Sequence, residues 1–193
     1  MSRTFPISLL LIANVASAQS MSKPYKTVVA ERVSEAPAER VWQAMVLDYG
    51  EISNFSPSIY ASEYQAGSLF GEVGAERVCH FNANGTRWSH ERIAELDSDA
   101  MVMKNTIVDA AKFPLNTDNS YAIYSVDDNG DGTSTARYTF HYRTQPGIMT
   151  GLVKGTFQRQ LDDTLIGLEH YVQTGEVVNA TTGNWRDIRR QYR

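Results

Sequence analysis

The sequence predicts an α+β domain: one strand, two short helices, about six further antiparallel strands and a long C-terminal helix. Three observations predict it. The stretches between 27 and 36 and between 59 and 144 are rich in β-branched and aromatic residues and are punctuated by Gly, Asn and Asp. The segment 37–50 (PAERVWQAMVLDYG) places Val41, Met45 and Tyr49 at a spacing of four. From 148 to about 176, Val153, Phe157, Leu161, Leu165, Leu168 and Val172 step by four, four, four, three and four.

Taken in order, TVVAERVSEA reads as a strand, and Pro37 stands where a helix begins, since its missing N–H costs nothing there. Trp42 adds to the apolar face of that helix, and EISNFSPSI reads as a short helical turn stopped by Pro57. YASEYQAGS, GAERVCHFN, RWSHERIAEL, MVMKNTIVDA, SYAIYSV and STARYTFHYRT follow as strands, with Asn84-Gly85 expected to form a type I′ hairpin turn. DDNGDGT at 127–133 begins like a calcium loop. It lies between two strands rather than two helices, and the twelfth position from Asp127 is Tyr138, not a bidentate Glu; it reads as a turn. The long helix carries an apolar stripe with Lys154, Arg159, Asp162, Asp163 and Glu169 mostly on its other sides, and the sheet is the surface large enough to cover it. The tail 177–193 is polar and basic and is expected to fray.

Composition narrows the function. The 193 residues favour one domain, named here as 26–176. A net charge of −4 without a block of either sign argues against nucleic acid as a partner. Cys79, the single cysteine, excludes an internal disulfide and a cysteine-based zinc site, and reads as a small buried hydrophobe. His80, His90, His141 and His170 lack metal-ligand spacing, so neither a metal nor another cofactor is expected. At the N-terminus, Arg3, the apolar run 5–15 and Ala16-Ser17-Ala18 have the order of a cleavable signal peptide, residues 1–18, directing the chain to the periplasm or exterior. The alternative is a start at Met21, which would leave the protein cytoplasmic. The apolar run is too short for an integral membrane segment, and no other stretch is apolar enough.

The order of elements, together with VSEAPAERVWQAMVLDYGEISNFSPSI, HERIAELDSDA, AKFPLNTDNSYAIYSV and TGLVKGTFQRQLDDTLIGLEHY, resembles the START-like (SRPBCC) superfamily over 27–173, specifically its bacterial polyketide cyclase/dehydrase-like branch. The resemblance implies a helix-grip fold, in which a curved sheet of about seven strands wraps the long helix and leaves a cavity. It also implies binding of a hydrophobic small molecule there: a lipid, isoprenoid, quinone or aromatic polyketide. In the similar abscisic-acid receptors, a Glu at the position matching Glu91 contacts ligand through water. FPL at 113–115 occupies the place of their latch, but the latch's own residues differ here, so hormone sensing is not implied.

Period-two alternation names the candidate lining. Tyr138, Phe140 and Tyr142 should face inward with Ala136, as should Tyr121 and Ile123 with Ser125, and Ser89 and Glu91 with Ile93. Phe157 and Leu161 would form the floor, and the resemblance of 113–115 to the latch segment adds Phe113 and Leu115. Glu91 has two readings: a carboxyl with a raised pKa in an apolar cavity, acting as acid, base or anchor, or an ion pair with Arg92 or Arg77. Glu91 and Tyr142 are the candidates for orienting a ligand's polar end. Three functions compete: a carrier; a cyclase/dehydratase-type enzyme, for which no convincing acid/base pair is seen; and an accessory that binds a protein partner.

Overall fold

The computed structural model of the chain describes residues 25–192; the expected signal peptide lies outside the described residues. Seven strands form one antiparallel sheet in the order β1-β7-β6-β5-β4-β3-β2. They are β1 (Lys26–Ser34), β2 (Ala61–Tyr64), β3 (Glu76–His80), β4 (Trp88–Asp97), β5 (Val102–Ala111), β6 (Tyr121–Asp128) and β7 (Ser134–Tyr142). The sheet is curved and unclosed, with β1 and β2 at its edges. β4 shifts register against β5 between His90 and Glu91 and again between Ile93 and Glu95, irregularities that bend a sheet locally.

Between β1 and β2 the chain forms α1 (Ala38–Trp42), a wider turn over Gln43–Leu47 and a 3₁₀ segment over Tyr49–Asn54. The widening is visible in the Asp48 N–H donating five residues back to the Gln43 carbonyl, at 2.8 Å. It preserves the expected inward face: Val41, Trp42, Met45 and Tyr49 are all buried. The long helix is α2 (Lys154–Thr174), about 30 Å at 1.5 Å per residue, shorter than the span expected from sequence. A separate 3₁₀ turn, Gly147–Thr150, precedes it. Gly175, at φ +75°, ends α2 by donating its N–H to Tyr171 O at 2.8 Å.

Three local expectations are corrected. Asn84-Gly85 does not form a type I′ turn, because only Gly85 has a positive φ; the β3–β4 connection is a longer loop. The tail does not fray throughout. It forms α3 (Trp185–Gln191), buries Val178 and Ile188, and pairs Arg189 with Asp163 of α2 at 2.6 Å. Glu169 is buried rather than solvated, accepting the Glu35 N–H at 3.1 Å. The DDNGDGT segment does join β6 to β7 as a turn, with Gly130 and Gly132 both at positive φ.

Candidate functional site

The inner face of the sheet and the first half of α2 do not meet fully, and a cavity lies between them. It comprises about 620 Å³ not filled by protein atoms, part of it open to solvent.

Strand pairing decides which side chains reach this cavity. On β3, Arg77 and Cys79 are buried while Glu76, Val78 and His80 are not. Arg77 stands directly opposite Glu91 on β4, and the β4–β5 irregularity brings Asn105 to the same carboxylate. Arg77 donates to Glu91 Oε2 from Nε at 3.0 Å and from Nη2 at 2.7 Å. Asn105 Nδ2 donates to the same oxygen at 3.0 Å, and Ser89 Oγ donates to Oε1 at 2.7 Å. The guanidinium also contacts the Tyr49 carbonyl at 2.9 Å and the Tyr124 hydroxyl at 3.1 Å, and its Cζ lies 4.1 Å from the Tyr49 ring centroid. Tyr49 donates its hydroxyl to Asn105 Oδ1, and Tyr124 donates to the Tyr138 hydroxyl at 2.7 Å.

This network sets the electrostatics. Burial pushes the Glu91 carboxyl up, but the Arg77 charge and the hydrogen bonds from Ser89, Arg77 and Asn105 outweigh it and hold the group below the usual carboxylate range. The reading of Glu91 as a carboxyl with a raised pKa is therefore corrected: it is the ionised half of a buried pair with Arg77. Burial raises the Tyr49, Tyr124 and Tyr138 phenols, which remain neutral donors. Burial likewise raises the Cys79 thiol, so it is a poor nucleophile. A buried pair of this kind contributes little net stability compared with an apolar substitute, but loss of one partner strands the other charge.

The rest of the lining is largely apolar. Phe140, Phe157, Leu161, Leu115, Ile59 and Ile107 contribute to it, Ile107 directly beside Glu91, with the Ser56 and Thr164 hydroxyls bonded to each other at 2.9 Å. At the rim, Phe81 and Phe113 stack at 4.8 Å between centroids, and Arg87 lies 4.9 Å from the Phe113 ring centroid. Phe113 also meets Phe157 of α2 at 6.1 Å.

Of the residues expected from sequence, Ser89, Glu91, Phe113, Leu115, Tyr138, Phe140, Phe157 and Leu161 line the cavity. Three do not. Tyr121 and Ile123 lie on the outer face, where Tyr121 stacks on His141 at 4.5 Å; Ala122, Tyr124 and Val126 are the inward set of β6. The inversion has a plain cause: both alternating sets of YAIYSV are apolar enough to be core. Register resolves it, because Tyr124 pairs with Tyr138 and Tyr121 with His141, and directly opposed residues share a face. Tyr142 is fully buried beside Phe157, and its hydroxyl donates to the Thr150 carbonyl at 2.9 Å, so it braces the turn before α2 instead of facing ligand space. Sequence reasoning missed Arg77 and Asn105 as wall residues. Arg77 carries a signal: it is two positions from Cys79, which reads as buried, so both share a face.

The histidines do not converge. His90 bonds Glu76 at 2.7 Å, His170 bonds Glu176 at 3.0 Å and His141 bonds Thr27 at 2.9 Å. Among the described residues, no three of His, Cys, Asp and Glu are placed to hold a metal. Among the same residues, no helix is long and apolar enough to cross a membrane.

Comparison with known proteins agrees with this architecture. XoxI from Bacillus cereus is similar at a TM-score of 0.63 and 18% identity, covering 77% of this chain and 96% of its own. Ara h 8.0201 is similar at 0.61 and 18%, covering 78% and 99%. Norcoclaurine synthase from Thalictrum flavum, solved with dopamine and hydroxybenzaldehyde, is similar at 0.60 and 13%, covering 89% and 97%. At these identities the likeness establishes the fold. No curated protein matches significantly. Residues 26–173 match the family described as polyketide cyclase / dehydrase and lipid transport, and with that match spanning most of the chain, the protein belongs to this family.

Proposed function

We propose that the protein binds and carries a neutral, largely apolar small molecule bearing a hydroxyl or carbonyl group, of the lipid, isoprenoid, quinone or aromatic polyketide class. The observation that supports this reading is a cavity whose aromatic and aliphatic lining adjoins a charged pair that is already neutralised. Arg77 and Glu91 cancel each other, so a charged headgroup would lack a counter-ion there and would lose its hydration. A hydroxyl or carbonyl fits instead. Glu91 Oε1 accepts only the Ser89 bond among the described hydrogen bonds, and the Tyr138 hydroxyl accepts from Tyr124 with its own hydrogen left to donate. At about 25 cal/mol per Å², burying roughly 300 Å² of ligand offers several kcal/mol, enough for micromolar binding after ordering costs.

The test is native mass spectrometry of protein from its own host, followed by solvent extraction of anything bound. A co-purifying neutral apolar compound near one equivalent supports carriage and names the class. A clean apo mass, with no later binding of neutral lipid or aromatic probes, overturns it and favours an enzyme with a transient substrate or a protein-binding accessory. The expected signal at residues 1–18 supports a periplasmic or secreted site for this carriage. The same spectrum checks it: a mature chain beginning at Gln19 supports export, and one beginning at Met21 opposes it.

A further inference from the structure

Ile148 and Leu152 are the most exposed large hydrophobic residues among those described, at 84% and 80%. They do not sit on a loose loop. Met149 N–H donates to Pro146 O at 3.2 Å, and Leu152 and Val153 N–H donate to Met149 O at 2.9 and 3.2 Å, so hydrogen-bonded turns run from the 3₁₀ segment to the start of α2 and hold both residues in place. From behind, Tyr142 bonds the Thr150 carbonyl and the Thr144 and Thr150 hydroxyls meet at 2.8 Å. The segment is a braced tip holding two apolar side chains out in water.

The tip stands at the cavity's rim. Its base is tied to the rim segment by the Leu115–Thr144 bridge and by Gln145 N–H donating to Pro114 O at 3.2 Å. Leu152 lies just over one helical turn before Phe157, which meets Phe113. Charge points the same way. Exposed Lys154 directly follows the tip and exposed Lys112 adjoins Phe113, in a chain whose net charge is −4, while the first acids after the tip, Asp162 and Asp163, lie about two helical turns beyond Lys154. The other exposed apolar cluster, Leu69, Phe70 and Val73, has the opposite setting: Glu63, Glu72 and Glu76 surround it in sequence, and Phe70 packs on Tyr64 at 4.6 Å.

We infer that segment 147–153 is a membrane-docking tip that seats the cavity's rim on an anionic lipid surface, with Ile148 and Leu152 entering the acyl boundary and the neighbouring cations facing lipid phosphates. This deepens the carriage reading by naming the surface where cargo would be exchanged. The test is vesicle flotation with the full chain, using phosphatidylcholine with and without phosphatidylglycerol, alongside cavity binding of a fluorescent apolar probe. Wild type should float with the phosphatidylglycerol vesicles and be released by salt. The Ile148→Ser/Leu152→Ser variant should partition at least about tenfold more weakly, with unchanged melting temperature and probe binding. Lys154→Gln should weaken only the phosphatidylglycerol-dependent part. Failure of wild type to float, or equal flotation of the double variant, overturns docking. A concentration-dependent dimer that the double variant abolishes, without flotation, also overturns it and assigns the tip to a second copy. Probe binding without flotation leaves carriage standing; flotation without probe binding leaves docking and removes carriage.

Discussion

The two halves of α2 solve different problems with one apolar stripe. From Thr164 to His170 every residue is buried, enclosed by the sheet, the segment after α1 and the tail. Gly167 shows how tight that half is: a Cβ there would collide with the Phe55 carbonyl and lie 3.5 Å from Val178 Cγ1. Between Lys154 and Asp163 only Phe157 and Leu161 are buried, and both face the cavity. The lesson is that packing on several sides, and not the stripe itself, separates a structural helix from a wall of ligand space.

The largest test of this contrast lies on the cavity side. Arg77→Leu should destabilise the fold by about 3–5 kcal/mol in urea unfolding, because it strands Glu91 in a buried site. A loss near zero would mean that solvent already screens the pair. Next, one chemical change applied to each half should give unequal losses. Leu168→Ala should cost about 4 kcal/mol and Leu161→Ala about 2 kcal/mol, since Leu161 already borders open space and gives up fewer contacts. Leu161→Ala should also admit a bulkier probe; equal losses would erase the distinction between the halves.

The third prediction concerns pH. Glu91 is held below its ordinary value of 4.5 in the folded state, so its contribution is complete above that pH and is lost as pH falls through the depressed folded value. Wild type should therefore lose stability below about pH 4.5, while Glu91→Gln, less stable at pH 7, should lose less over the same acid range. Parallel profiles would break the assignment. The smallest effect is expected at the tail. Arg189→Ala removes a partly exposed pair with Asp163 and should cost about 1 kcal/mol or less. A larger loss would show that α3, more than the Phe55 contact, fixes the packed half.

Much of the fold was legible because the signals were local. Spacing of four in 37–50 and beyond 148, turn residues at 127–133, and alternation on β7 each follow from side-chain direction within one element. The cavity floor was legible for the same reason: Phe157 and Leu161 lie on the stripe whichever surface covers it. The failures were relational. YAIYSV offers two apolar faces, and only its register with β7 chooses between them. The tail looks polar, yet Val178 and Ile188 find a groove on α2 that no local pattern announces.

The sequence by itself determined the order of the elements, the parity of β4 and β7, and the presence of a carboxyl at the inner face of β4, since each depends on hydrophobic period and turn chemistry. Only the tertiary structure decided the state of that carboxyl and the shape of the space beside it. Antiparallel pairing sets Arg77 opposite Glu91, and the irregular β4–β5 register adds Asn105, so groups 14 residues apart in sequence become one neutral unit. Desolvation and Coulomb attraction act through space, and their balance at Glu91 exists only once the strands are side by side.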